Sequence, residues 1–246
     1  MGSLENKVAI VTGGGTGIGR GIALEFAKAG ADVVVASRRL SVLEKVSEEV
    51  TAIGKRSLAV QTDISRKTDV DNLVQRVMDE FGGIDILVNN AVNFTIAPLL
   101  KLSEDDWDKI MDVNIKGYYL CSQAVGRGMV ERKRGNIINI ASIVAFRADS
   151  VYCMSKAGVL MLTRVLAREL ASCNIRVNAI APGFVRVERN ESGYSDPVVL
   201  KEAEAKIPLG RIGEPSDIGS VAVFLASDAS RYITGDVIPV DGGFLA

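Results

Sequence analysis

Short β-branched runs alternate with longer amphipathic ones through the first part of the chain, in the order KVAIVT, GRGIALEFAKAG, DVVVAS, LSVLEKVSEEVTAIG, RSLAVQT, TDVDNLVQRVMDEFG and DILVNNA. The rhythm continues with NIINIAS, a helical stretch over 151–172, IRVNAIA, a helix in EPSDIGSVAVFLAS and a final strand in DVIPVDGG. The apolar runs have strand length and the longer stretches repeat with the helical period. Alternating strands and helices build βαβ units, whose crossover helices cover both faces of a parallel sheet. The pattern predicts an α/β chain with a doubly wound parallel sheet of about seven strands, folded as one domain over 1–246.

One region breaks the rhythm. Residues 184–215, FVRVERNESGYSDPVVLKEAEAKIPLGRIGEP, are dominated by polar and turn residues before a weak helical patch. Long irregular segments in compact domains are often functional, so this is the candidate substrate-binding loop, with an ordinary surface loop as the alternative. The formal charge of −1 with interspersed signs provides no basic face for nucleic acid and points to a small-molecule partner. No segment reaches the length of a membrane span, and Cys121, Cys153 and Cys173 lack CxxC spacing. A reduced, cytoplasmic protein is expected, with no membrane partner.

The chain of 246 residues contains no histidine. That removes Ser-His-Asp triads, Cys-His pairs and zincin sites, and leaves proton transfer to a carboxylate, a lysine, a cysteine or a perturbed tyrosine. Tyr152 and Lys156, in VYCMSKAG, stand four positions apart on a predicted helix and therefore share a face. A nearby ammonium would favour the phenolate and bring the tyrosine down from its free pKa of about 10. Alone, such a pair also fits a plain helix surface. No metal site is expected: in SEDDW, Ser103 reads as a helix cap followed by an acidic first turn.

TGGGTGIG, residues 12–19, follows the first strand and opens a helix, so Gly13, Gly15, Gly17 and Gly19 would let the backbone approach a pyrophosphate at a helix N-terminus. Where NAD-preferring folds carry an acidic residue at the end of the second strand, this chain has Ser37 followed by Arg38 and Arg39. A guanidinium binds a 2′-phosphate that a carboxylate would repel, so NADP(H) is expected over NAD(H). The alternative is that both arginines begin a solvated helix.

These pieces together resemble the short-chain dehydrogenase/reductase family over essentially the whole chain. TGGGTGIG is similar to its TGxxxGxG turn, NNA at 89–91 to its NNAG strand end and YCMSK at 152–156 to its YxxxK motif, with NAIAPG at 178–183 and the terminal VDGG completing the set. The resemblance implies a Rossmann fold, commonly a homotetramer, that interconverts a ketone and a secondary alcohol. It implies that Thr16, Ile18, Ile64, Asn90, Ala91, Pro182, Gly183 and Val185 line the cofactor with the glycines, that Asp63 bonds adenine and that Asn89 braces the sheet and borders the cofactor. Asn114 would organise a proton-relay water, Ser142 orient the carbonyl, Tyr152 exchange the proton, and Lys156 bind the nicotinamide ribose and lower the tyrosine pKa. Val92, Phe94, Val144, Phe146 and Phe184 form the candidate substrate pocket, with Arg147, Arg186 and Arg189 available to an anionic substrate.

The chain departs from the family pattern in three places. Ser142 precedes Tyr152 by ten residues where about thirteen is usual, Val92 replaces the glycine of NNAG, and Val187 stands where many relatives carry a cofactor-binding threonine. Val92 puts a branched side chain where glycine allows free φ and close approach, which would narrow the pocket beside the nicotinamide. The shortened connection leaves a second reading open, a non-catalytic NADP(H)-binding sensor or scaffold; reduction of a C=C bond or an imine would need a different donor geometry.

Overall fold

The computed structural model describes residues 2–95 and 97–246. Seven strands, β1 Val8–Thr12, β2 Asp32–Ser37, β3 Ser57–Gln61, β4 Ile86–Asn89, β5 Gly135–Ile140, β6 Ile175–Pro182 and β7 Val237–Val240, form one sheet in the order β3-β2-β1-β4-β5-β6-β7. All six pairings are parallel. This is the doubly wound Rossmann arrangement that the alternation predicts.

Side chains of a strand point alternately to the two faces, and the core divides accordingly. On one face Ile10, Val34, Leu87, Ile137 and Val177 pack with residues of α3 (Lys67–Phe81), α5 (Tyr118–Arg132) and α6 (Val151–Leu170). On the other, Ala9, Val11, Val33, Val35, Val88 and Ile180 pack with α1 (Gly17–Lys28), α2 (Leu40–Ala52) and α9 (Pro215–Ala226). Strands buried on both sides need no polar alternation, hence the uninterrupted VAIV and VVVA runs. A buried polar line crosses the sheet: the Asn89 amide nitrogen donates to Ser122 Oγ at 3.0 Å and to Asn139 Oδ1 at 2.9 Å, and Asn139 donates to Thr163 Oγ1 at 2.9 Å. Asn89 thus braces the sheet. It is fully buried and does not border an open site, because strand end β4 turns its next residue, Asn90, toward the glycine turn.

The strand order reverses between β1 and β4, and ligands of such sheets bind beyond the carboxyl ends of the strands at that point. Two short helices, α7 Glu191–Tyr194 and α8 Pro197–Glu204, lie in the irregular segment 184–215, whose ends are joined by the Val185–Gly213 bridge. Before α5, helix α4 (Glu104–Met111) starts on Ser103, whose side chain accepts from the Asp106 amide as the sequence predicts, and the helix then widens into π-helical turns over Asp112–Gly117. Among the described residues no helix is long and apolar enough to cross a membrane.

The glycine turn is closed by contact. A Cβ on Gly19 would lie 2.2 Å from the Gly13 carbonyl oxygen, so backbone must move to admit it. Gly19→Ala should therefore cost about 1–3 kcal/mol of stability, read as a lower denaturation midpoint with no nucleotide added; an unchanged midpoint contradicts the close approach.

Candidate functional site

The turn after β1 meets the end of β4 in a compact set of bonds. Thr12 Oγ1 accepts from the Asn90 amide at 2.9 Å and the Ala91 amide at 3.2 Å, while the Asn90 side chain donates to the Thr12 carbonyl at 2.9 Å. Gly13 has φ +66°, and a Cβ there would sit 2.8 Å from Ala91 Cα. Thr12, which the motif reading did not single out, therefore holds the two halves of the crevice in register.

The amide of Gly17 points out of the first turn of α1 and donates to Glu188 Oε2 at 2.9 Å. An oxyanion at a helix N-terminus is what the unsatisfied amides and the helix dipole favour. The donor is suited to a phosphate-like group, and the residues present fit a dinucleotide. Val187 also faces this turn: a Cβ on Gly17 would lie 3.0 Å from its Cγ1. Along the crevice, Ser37 is half-buried and Arg38 and Arg39 are exposed, with neither arginine in an ion pair among the described residues. Asp63 Oδ1 accepts from the Ser65 amide at 3.0 Å and its hydroxyl at 2.7 Å, and Ile64 is buried against Gly117. Thr16 immediately precedes α1, Ile18 lies in its first turn, and Gly15 packs on Val42. At the other rim Pro182 ends β6, the Gly183 amide donates to the Val240 carbonyl at 3.0 Å, and Val185 is buried.

Tyr152 and Lys156 lie one turn apart near the start of α6. Lys156 is 1% exposed, and its ammonium has no carboxylate partner among the described residues. Its Nζ donates to the Ile140 carbonyl at 2.8 Å and to the Tyr118 hydroxyl at 3.4 Å, and that hydroxyl donates to the same carbonyl at 3.2 Å. Tyr118 was not legible as a site residue; its only signal is the position four after Asn114. Burial pushes Lys156 down to about 7, and the Arg189 charge adds to this. Burial pushes Tyr152 up to about 12, with the Arg189 charge opposing. Lys156 is not among the groups that shift Tyr152. Desolvation governs both groups, and Nζ lies 5.8 Å from the Tyr152 ring centre while its hydrogen bonds go elsewhere.

Asn114 lies in the π-helical turns. Its side chain accepts from the Asn93 amide at 2.8 Å and donates to the Asn93 carbonyl and to Ser155 Oγ, each at 3.0 Å. Ser155 in turn donates to the Tyr152 carbonyl at 2.8 Å. The side chain expected to organise a water is thus engaged in clamping the segment after β4 to α6. Ser142, just past β5, accepts from the Val144 amide at 3.3 Å and caps a short 3-10 turn over Ile143–Phe146. That turn takes up the shortened connection.

Phe94 meets Tyr152 edge to face with ring centres 4.8 Å apart, and the Arg189 guanidinium lies 4.7 Å from the Phe94 ring centre. Val92, Phe94 and Phe146 are exposed and Val144 is half-buried. Val92 is outside the left-handed region, so the glycine replacement brings no backbone strain. Phe184 goes elsewhere. Its ring packs on Phe244 at 5.2 Å and lines a separate cavity of about 120 Å³ with Leu209, Arg211 and Asp241.

Fold and site define a Rossmann-type dinucleotide-binding protein with a buried tyrosine–lysine pair at the start of α6. A family model described as enoyl-(acyl carrier protein) reductase matches residues 13–245. The chain is 43% identical over 250 residues to 2-dehydro-3-deoxy-D-gluconate 5-dehydrogenase of Escherichia coli K12, covering 99% of this chain and 97% of that protein. It is 42% identical over 242 residues to 3-oxoacyl-(acyl-carrier-protein) reductase FabG of Staphylococcus epidermidis RP62A, covering 97% and 98%. It is similar to the solved structure of an Agrobacterium tumefaciens protein described as a 2-deoxy-D-gluconate 3-dehydrogenase with bound NADP. The TM-score is 0.89 at 37% identity, over 98% of this chain and 97% of that one. The chain belongs to the short-chain dehydrogenase/reductase family, oxidoreductases that act on CH–OH groups with NAD(P).

Two outcomes test this geometry. The folded-state pKa of Lys156, about 7, lies below its ordinary 10.5, so the folded protein binds fewer protons between those values and gains stability as pH rises through that window. Lys156→Met removes the effect: from pH 7 to pH 10 the difference in thermal midpoint should shift in favour of the wild type, whereas a flat difference contradicts it. Glu188→Gln removes a competing charge from the Gly17 amide and should tighten NADPH binding roughly two- to fivefold, matching about 0.3–1 kcal/mol for a carboxylate at an exposed helix N-terminus. Weaker binding by calorimetry would contradict this.

Proposed function

We propose that the chain interconverts a ketone and a secondary alcohol with NADP(H), using Tyr152 as the proton donor and acceptor. The observation that carries this reading is the buried phenol, held up to about 12 on the helix face of Lys156. Such a phenol is protonated at neutral pH and suits donation to a carbonyl oxygen. In the reduction, the bound nucleotide supplies the hydride to the carbonyl carbon. Tyr152 gives its proton to the oxygen, and C=O becomes CH–OH. Lys156, fixed on the Ile140 carbonyl, would hold the nicotinamide ribose, while Ser142, whose oxygen accepts from Val144, has its own proton left to orient the substrate carbonyl. Asn114 positions the wall that carries Phe94.

Arg38 and Arg39 support NADP(H) over NAD(H), since both guanidinium groups stand exposed and uncommitted at the end of β2. The names of the relatives speak for carbonyl chemistry rather than for the C=C reduction in the family model's description. They span a sugar acid and an acyl thioester, so they leave the substrate open.

The test is nucleotide oxidation over a panel of acyl-thioester, sugar-acid, cyclic and aryl ketones, with NADPH and NADH in parallel. Tyr152→Phe should lower turnover about 100-fold or more while nucleotide binding persists. Equal or faster turnover with NADH would refute the cofactor preference, and a fully active Tyr152→Phe the proton role. Tight NADPH binding with no turnover across the panel would favour the sensor or scaffold reading.

A further inference from the structure

The three arginines within reach of the candidate pocket have different fates. Arg147 Nε pairs with Asp149 at 2.7 Å and Arg186 with Glu191 at 3.4 Å, so both are committed within their own segments. Arg189 has no carboxylate within salt-bridge distance among the described residues. It lies over the face of Phe94 instead. A guanidinium above an aromatic face keeps its N–H fork free to donate at its edge, and that fork matches a carboxylate in two parallel bonds.

Both partners of this stack are held from behind. The Val187 amide donates to Asn190 Oδ1 at 2.8 Å, and Asn190 Nδ2 donates to the Val185 carbonyl at 2.9 Å, which sets the turn that carries Arg189. Phe94 follows Asn93, which is bound to Asn114 through both its backbone groups. The Phe94 ring meets Tyr152 directly, so the free guanidinium stands one ring away from the phenol.

The charge balance points the same way. The Arg189 charge reaches both members of the buried pair, and no carboxylate is among the groups that shift either of them. Arg189 stands exposed one ring from the phenol, and Val92 and Phe146 expose further apolar surface for a carbon skeleton. An exposed guanidinium with no carboxylate partner among the described residues, set beside apolar surface, favours an anion. The other anion-accepting group of this loop region, the Gly17 amide, is engaged by Glu188 and lies at the start of α1.

We propose that the substrate is a keto acid, or the hydroxy acid formed from it, whose carboxylate is bound by Arg189 while its carbonyl faces Tyr152. This rests on the ketone-reducing role of Tyr152 and names the substrate class for it. The carboxylate is unchanged in the reaction: hydride goes to the ketone carbon, the Tyr152 proton to the ketone oxygen, and Arg189 forms and breaks only hydrogen bonds.

The test is kcat/KM with NADPH for 2-oxo, 3-oxo, 4-oxo and 5-oxo acids of short chain, each paired with its methyl ester, with dihydroxyacetone phosphate as a phosphate-bearing ketone. At one spacing of carbonyl and acid the free acid should be preferred over its ester by about tenfold or more, the scale of a charge-assisted pair. Arg189→Gln should bring that ratio close to one, chiefly through KM, and Arg189→Lys should restore part of it. Because the readout is a ratio within each variant, partial loss of folded protein does not imitate it. Esters used as well as acids, a ratio unmoved by Arg189→Gln, or a preference for the phosphate over every acid would overturn the inference. Turnover of thioester or aryl ketones without any keto acid would overturn it and leave the ketone-reducing role standing. Silence with every ketone would overturn both.

Discussion

A lysine amine is buried at the centre of this site with a backbone carbonyl and a phenol for company, and with no carboxylate partner among the described residues. Removing an ammonium from water is costly unless it is paired, and the outcome in a protein is a depressed pKa. Lys156 at about 7 shows that outcome. Its position then depends on what fixes the Ile140 carbonyl and the Tyr118 ring: the end of β5 at mid-sheet, and the first turn of α5 directly after the π-helical segment. Tyr152, one turn away on the same helix, takes its burial from the same packing. The sheet, the π-helical turns and α6 together bury a phenol and an amine side by side in a chain without a histidine.

The segment 184–215 connects the two ends of the crevice. Glu188 and Arg189 are neighbours in sequence, yet one accepts from the Gly17 amide and the other lies over Phe94. Asn190 enforces this by bonding backbone on both sides of Arg186. A nucleotide phosphate would displace the Glu188 contact, and the adjacent residue bears on the tyrosine. The contact to the α1 N-terminus and the contact to the Phe94 ring thus share one short turn, held at its base by the Val185–Gly213 bridge.

Much of the fold is legible in the sequence because periodicity reports burial on each strand directly. VAIV and VVVA are apolar at every position since both faces of β1 and β2 are covered. The glycine turn and the Tyr152–Lys156 spacing are local and could also be read. What could not be read depends on distance and solvent. The contact between Glu188 and Gly17 spans 171 positions. Tyr118 reaches Lys156 across 38. The sign of the tyrosine shift turns on how much water surrounds a four-residue spacing, which the spacing does not contain. Phe184 was expected at the substrate pocket with the other apolar candidates, and its ring turns instead to Phe244, 60 positions away in sequence.

The most direct measurement is a titration of the lysine side chains by NMR in protein without added nucleotide, with Lys156→Arg used to assign the resonance. Ordinary lysines titrate near 10.4. The account predicts one amine, absent from the variant, that titrates near pH 7. If the resonance lost in Lys156→Arg titrates with the others, Lys156 is charged throughout the neutral range, and the desolvated pair at the heart of the account is wrong.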